Sequence, residues 1–146
     1  MSIRTFALIY GLLFTALGIV GFIPAVITPY RGLQSDLWFQ QGAGYLFGVF
    51  PVNLPLNLVH LAFGVWGIVV NQSGHAAIGY ARSVAIVYAV LAVVGLIPGI
   101  NTVFGLMPVY GNDVWLHALL AAGAAYFGFV RHAEAELAHR PAARGT

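Results

Sequence analysis

Two histidines lie inside apolar stretches of this chain, and each follows the same short phrase. Phe47-Gly48-Val49-Phe50-Pro51-Val52 precedes His60, and Phe104-Gly105-Leu106-Met107-Pro108-Val109 precedes His117. Each histidine comes nine residues after the proline of its phrase. An unpaired polar group in hydrocarbon costs several kcal/mol, so we expect an imidazole there to have a hydrogen-bond partner or a function. The matching positions predict one paired site.

Each histidine has a polar residue close before it in the chain. Asn57 lies three residues before His60, and Asp113 lies four residues before His117. Residues three and four apart share a face of a helix, so we predict that Asn57 and Asp113 are the polar neighbours of the two imidazoles. For Asp113 there is an alternative, which is that it caps the free N–H groups at the start of the last helix.

The chemistry open to this pair is ligand binding or simple packing. Neutral imidazoles bind haem iron, copper or zinc, and a nearby carboxylate fixes their tautomer. His60 and His117 would suffice as the axial ligands of one haem, and Asp113 would be a third ligand for zinc. The alternative is an interhelical hydrogen bond, which contributes about 0.6 kcal/mol. A haem or transition-metal cofactor and a packing contact therefore both remain open.

Composition places these residues in a lipid environment. Of the 146 residues, 60% are hydrophobic and 7% are charged, whereas soluble domains carry roughly 25% charged residues. The chain has no cysteine and no lysine, which excludes disulfides, thiol catalysis and Schiff-base chemistry. No phosphate loop, zinc-protease or nucleophile-elbow motif occurs, so we do not expect an enzyme. The arginines suit membrane anchoring better than nucleic-acid binding.

Hydropathy predicts an all-α polytopic protein with four transmembrane helices in one domain, residues 1–131. The predicted spans are Thr5–Ile27, Leu54–Val70, Gly79–Pro98 and Val114–Val130. We expect residues 132–146 to form a polar, flexible C-terminal tail. Two apolar segments rich in Pro and Gly, Gly42–Leu56 and Gly99–Asn112, are too broken to span. We interpret them as interfacial or re-entrant caps on one end of the bundle, with ordinary apolar loops as the alternative.

The phrase before each histidine indicates an internal repeat. It recurs at an offset of 57 residues, and Gly21-Phe22-Ile23-Pro24 matches Gly95-Leu96-Ile97-Pro98 more weakly at an offset of 74. The difference corresponds to an insertion in the first outer loop. The chain therefore reads as a tandem parallel two-helix repeat, with halves at about 5–70 and 79–130. A pseudo-twofold axis along the membrane normal would relate the halves.

Arginine positions predict the orientation. With four spans, one side carries all the arginines except Arg31, namely Arg4, Arg82, Arg131, Arg140 and Arg144. The positive-inside rule then places both termini in the cytoplasm and the caps outside. The expected location is a bacterial inner membrane.

Two longer phrases resemble a known family. They are Asn57-Leu58-Val59-His60-Leu61-Ala62-Phe63-Gly64-Val65-Trp66-Gly67 and Gly111-Asn112-Asp113-Val114-Trp115-Leu116-His117. Together with the preceding prolines, they resemble an uncharacterised family of small bacterial four-helix membrane proteins, domain of unknown function four-three-eight-three. The resemblance covers most of the chain apart from the tail. It implies a multi-pass membrane protein and supplies no activity.

Three functional hypotheses follow. In the first, the chain is an accessory or scaffold subunit that packs in the bilayer against a larger complex or its own copies. In the second, His60 and His117 hold a haem or metal in a redox protein. In the third, Asp113 and the histidines form the site of a small proton-linked transporter or channel.

Overall fold

Four helices account for most of the computed structural model, which describes residues 1–31 and 36–131. Helix α1 is Ile3–Val20, α2 is Leu54–Val70, α3 is Gly74–Gly95 and α4 is Asn112–Ala125, continued by a π-helical turn over Tyr126–Val130. The predicted tail, residues 132–146, lies outside the described residues. Helices α1, α3 and the extended α4 are long and apolar enough to cross a membrane, and α2 is apolar but shorter.

The first helix ends earlier than predicted. We expected it to run to Ile27, whereas α1 ends at Val20 with Gly21 as its C-cap. Pro24 disfavours helical backbone at the residue before it and has no N–H to donate. The chain instead makes a 3₁₀ turn at Pro24–Val26 and enters a strand at Ile27.

A small antiparallel sheet is also present. The fold is therefore mostly helical and not all-α as predicted. Its strands, in spatial order, are β1 (Ile27–Pro29), β2 (Gly44–Leu46) and β3 (Phe50–Val52). The segment predicted as the first cap thus contains two strands and the start of α2. Pro51 fits within β3 because this strand lies at the sheet edge, where a missing N–H is tolerated.

Apart from Asn112, which begins α4, the second predicted cap has no regular element, but it contains a turn that matches the hairpin of the first. Phe47 and Gly48 have positive φ values of 52° and 72°, and Phe104 and Gly105 have 56° and 84°. Each pair is closed by a backbone hydrogen bond, from Val49 N to the Leu46 carbonyl at 3.0 Å and from Leu106 N to the Val103 carbonyl at 3.2 Å. Two central residues with positive φ define the tight turn that suits a twisted hairpin, and glycine lowers its cost.

The helices pack as two antiparallel hairpins, α1 with α2 and α3 with α4, and α3 contacts both helices of the first hairpin. Glycine allows the close approach within the first hairpin, since a Cβ on Gly64 would lie 2.5 Å from the backbone nitrogen of Thr15. Three helices begin at side-chain caps, Ser2, Asn53 and Ser73. The loops, strands and turns described above all lie at one end of the bundle, which we call the capped end.

Candidate functional site

His60 lies inside the bundle near the capped end. It comes six residues after the start of α2, or about 9 Å along the helix. Its side chain is buried, and its ring stacks on that of Phe14 from α1, with centroids 6.0 Å apart and planes inclined by 16°. Its Nε2 atom has no hydrogen-bond partner in the described part of the chain. The imidazole is thus held by ring contacts, and one of its nitrogens is left unpaired.

His117 is fully buried at a similar depth, five residues after the start of α4. Its ring meets the edge of Tyr88 from α3, with centroids 5.2 Å apart and planes at 76°. Neither of its nitrogens has a partner within the described ranges. His117 therefore donates no hydrogen bond to Asp113 in the described structure.

Tyr88 brings the two histidines together. Its ring centroid lies 4.9 Å from that of Phe14, 5.2 Å from His117 and 6.5 Å from His60. Its hydroxyl is buried and without a partner among the described residues. Sequence reasoning did not identify this tyrosine. The available signal was its place on the stripe of small residues Ala81, Ala85 and Ala92, which marks the buried face of α3.

Asn57 has a different role from the one predicted. Its Nδ2 donates a hydrogen bond of 2.7 Å to the carbonyl of Gly21, at the end of α1. Gly21 has no Cβ, and one built there would overlap the Asn57 carboxamide. Asn57 is therefore a link between α1 and α2, and no described contact joins it to His60.

Asp113 is not the helix cap of the alternative interpretation. The N-cap of α4 is Gly111, and no side-chain cap bond is made there. Asp113 lies in the first turn, where a carboxylate is favoured by the helix dipole. It is 2% exposed, and its Oδ2 has no partner in the described structure. Its side chain thus points into the protein, away from the free N–H groups it was expected to satisfy.

A small cavity joins Asp113 to His60 across the two hairpins. Its volume is about 20 Å³, which is room for a single water molecule. The other residues that line it are apolar: Leu17, Leu46, Phe50, Val52, Leu56 and Leu116. We call His60, Tyr88, Asp113 and His117 the polar cluster.

The geometry of the polar cluster does not suit the predicted cofactors. A haem macrocycle is many times larger than the cavity, and Tyr88 occupies the space next to both imidazoles. Residues 1–31 and 36–131 hold no group of three or more His, Cys, Asp or Glu side chains arranged for a metal ion. The arrangement is better suited to exchanging a proton, because imidazole, carboxyl and phenol groups all gain or lose one.

Three tyrosines lie at the capped end, near Asp113. The Tyr110 hydroxyl donates to the Tyr30 hydroxyl at 3.3 Å, and the ring of Tyr30 meets that of Tyr45 at 4.8 Å. Burial, the bond from Tyr110 and the charges nearby, including that of Asp113, raise the pKa of Tyr30. Burial also raises the pKa of Tyr110, and Asp113 adds to that increase. All three tyrosines are half-buried. We call them the tyrosine group.

Comparison with known proteins identifies a family without a described activity. No curated protein and no solved structure matches the chain. The family model DUF4383, a domain of unknown function, matches residues 4–130, which include the four helices except for the first residue of α1, and the whole polar cluster. This confirms the family predicted from the histidine phrases: the chain belongs to the DUF4383 family.

Proposed function

We propose that this protein crosses the membrane four times and passes protons through the polar cluster. One observation carries the proposal. Four side chains that can bind or release a proton converge from α2, α3 and α4, and each has at least one buried polar atom without a partner in the described structure. Ionisable groups inside a membrane bundle are costly and are commonly part of proton or ion pathways.

The length of the helices supports four spans. Three helices meet the length and hydropathy of a membrane span. Helix α2 has 17 residues, or about 26 Å, against a hydrocarbon core of about 30 Å. Its partner α1 lies antiparallel along it, so the two cross the same layer. Local thinning of the bilayer accommodates a mismatch of this size at small cost.

The pattern of burial supports two related halves. At an offset of 74 residues, fully buried positions of α1 coincide with fully buried positions of α3: Phe6 with Tyr80, Ala7 with Ala81, and Phe14 with Tyr88. At an offset of 57, buried positions of α2 coincide with buried positions of α4: His60 with His117, Gly64 with Ala121, and Gly67 with Ala124. The two Phe-Gly turns are also 57 residues apart.

The two halves bring rings into contact at corresponding positions, but the rings are stacked in one half and edge-on in the other, and the halves differ in polarity. Phe14 stacks on His60, and Tyr88 meets His117 at the positions related by the two offsets. In the second half, however, a tyrosine replaces the phenylalanine and Asp113 replaces Leu56. The hydroxyl and the carboxyl are thus present in only one half of the repeated histidine framework, which favours a function beyond packing.

Arginines support the proposed orientation. Arg4 donates to the Asn71 carbonyl at 2.7 Å and Arg82 donates to the Gly128 carbonyl at 2.9 Å, both at the end opposite the caps. Arg131 lies at that end too, bonded to the Met1 carbonyl. The positive-inside rule then makes this end cytoplasmic and the capped end external, in a bacterial inner membrane.

The accessory-subunit hypothesis is a second proposal, which we rank below proton passage. Apolar side chains are exposed on every helix, for example Leu12, Val69, Val90 and Leu119. A protein partner would cover such side chains, but lipid covers them equally well, so they do not favour one over the other. A lone monomer in mild detergent, with no co-purifying protein, would count against this hypothesis.

Proton flux into proteoliposomes tests the proposal. The purified protein is reconstituted with a pH-sensitive dye inside, the membrane potential is clamped with potassium and valinomycin, and the external pH is lowered. We expect acidification faster than in empty liposomes, and Asp113→Asn and His117→Phe should each bring the rate to that of empty liposomes. Flux through the wild type no faster than through empty liposomes would contradict the proposal.

His75→Phe is the matched control. It removes an imidazole that is exposed at the start of α3, far from the polar cluster. We expect its flux to equal that of the wild type. Equal losses in His75→Phe and His117→Phe would show that the effect does not come from the cluster.

A further inference from the structure

We infer that the capped end holds a binding site for an uncharged amphiphile whose hydroxyl group donates a hydrogen bond to the side chain of Asn57. The site is a cavity of about 350 Å³ between the end of α1, the strand β1, the turn at residues 40–43 and the start of α2. None of the residues that line it belongs to the polar cluster. The inference is therefore independent of proton passage.

The cavity has the size of a small-molecule site. Such sites have volumes of about 300–1,000 Å³, and a cavity of about 150 Å³ already admits benzene. The space at the capped end thus admits a ring with substituents, or a glycerol headgroup with the start of one acyl chain. Because the cavity opens at the protein surface, such a ligand can enter without any movement of the helices.

Hydrogen bonds hold the walls of the cavity in place. The turn at residues 40–43 is attached to the start of α2, since Leu54 N donates to the Gln41 carbonyl at 3.0 Å. Asn53, the cap of α2, donates from its Nδ2 to the Phe39 carbonyl at 3.0 Å. Another wall is β1, which is paired with β2. A site whose walls are already fixed loses little conformational freedom on binding.

One polar atom in the lining of the cavity lacks a partner. Asn57 is 1% exposed, and its Oδ1 has no hydrogen-bond partner in the described part of the chain. The other end of the same carboxamide is occupied, because Nδ2 donates to the Gly21 carbonyl at 2.7 Å. A carbonyl oxygen can only accept, so this bond fixes Oδ1 as the free acceptor. A buried acceptor without a donor is costly, and a ligand hydroxyl removes that cost.

The rest of the lining favours a neutral ligand with an apolar body. None of the described residues that line the cavity is charged, and its walls are apolar: Phe22, Pro24, Ile27, Pro29 and Leu54. Gln40 and Gln41 are exposed and form a polar rim. A charged ligand would lose its hydration here and gain no opposite charge. An apolar ring or chain packs against these walls while its hydroxyl donates to Asn57.

Fluorine NMR with a matched pair of probes tests the site. The purified protein in detergent micelles is titrated with para-trifluoromethylphenol, at a mildly acid pH where the phenol is neutral, and with para-trifluoromethylanisole, which has the same ring but no donor. Both titrations are referenced to partition into empty micelles. We expect saturable binding of the phenol, and the anisole should bind roughly three- to tenfold more weakly because one hydrogen bond is lost. Equal affinities, or partition alone, would overturn the inference.

Two variants locate the binding in this cavity. Asn57→Leu removes the acceptor at similar volume and should abolish the preference for the phenol over the anisole. Ala43→Leu enlarges a half-buried side chain of the cavity wall without touching the carboxamide, and it should weaken both probes. Ala43→Leu keeps the test decisive where circular dichroism shows that Asn57→Leu is unfolded. The matched control is Ala89→Leu, exposed on α3, which should bind as the wild type does. Wild-type binding by Ala43→Leu would overturn the inference.

Competition identifies the source of the hydroxyl. Methylhydroquinone presents it on a phenolic ring, and monooctanoylglycerol presents it on a lipid headgroup. Each should displace the fluorinated phenol, and the stronger competitor identifies the ligand class; displacement by neither would overturn the inference. Binding without proton flux would leave this site standing and the proposed function rejected, and flux without binding would do the reverse.

Discussion

Substitution of Gly64 by alanine tests the close contact of α1 and α2, which sets the position of His60. The new Cβ would lie 2.5 Å from the backbone nitrogen of Thr15 and 2.9 Å from its Cα. Neither atom belongs to a side chain that can rotate away. The helices must therefore separate by roughly 0.9 Å to reach an ordinary contact of about 3.4 Å, which also loosens the stacking of Phe14 on His60.

The size of the effect follows from a comparison with Gly79→Ala. Gly79 is exposed in α3, and a Cβ there meets nothing within 4 Å. Both substitutions gain about 1 kcal/mol of helix propensity, so this gain cancels when the two variants are compared. The remaining difference is the cost of overpacking, about 1–3 kcal/mol. Gly64→Ala should be the less stable of the two by that amount.

Unfolding in mixed micelles provides the assay. Both variants and the wild type are titrated with a denaturing detergent, and helix content is followed by circular dichroism. Gly79→Ala should be more stable than the wild type, and Gly64→Ala should be no more stable than the wild type. If Gly64→Ala matched Gly79→Ala, the close approach of α1 and α2 at Thr15 would be refuted.

Two further predictions concern the capped end. Gly21→Ala should lower the free energy of unfolding by at least the value of the hydrogen bond from Asn57, about 0.5–1.5 kcal/mol, because the new Cβ would displace the Asn57 carboxamide. In an Asn57→Ala background most of that loss should vanish, and purely additive losses would contradict the link. Burial raises the pKa of Tyr30 above its ordinary value of about 10, so the neutral phenol favours folding below that pH and the contribution is lost as pH rises above it. Alkaline unfolding, followed by circular dichroism, should therefore shift to higher pH in Tyr30→Phe relative to Tyr126→Phe, and identical curves would contradict the burial of Tyr30.

Helix positions were predictable because long apolar runs are local signals. The second helix, Leu54–Val70, begins and ends as predicted, since Asn53 caps its start and the polar turn after Val70 stops it. The observed ends of the first helix differ from the predicted ones, and the sheet was not predicted at all. Strand pairing between residues 27–29 and 44–46 depends on contacts across an insertion. Strands of three residues are also too short to show an alternating pattern of polar and apolar residues.

The site was predicted in part. Burial of His60 and His117 at similar depth agrees with the reasoning from their spacing. Helix spacing places Asn57 and Asp113 on the same helix faces as the histidines but does not say which helix each face meets. Asn57 faces the end of α1, and Asp113 faces His60 across the hairpins. Tyr88 was not predicted as a site residue because its contact with both histidines depends on how α3 packs between them.

The central claim is that Asp113 exchanges a proton inside the bundle, and pH-difference infrared spectroscopy tests it most directly. Spectra of the wild type and Asp113→Asn are recorded in lipid at mildly acid and mildly alkaline pH. We predict a carboxyl C=O band in the wild-type difference spectrum that is missing from that of Asp113→Asn. Identical difference spectra would mean that Asp113 keeps one protonation state throughout, and this would contradict a proton path through the polar cluster.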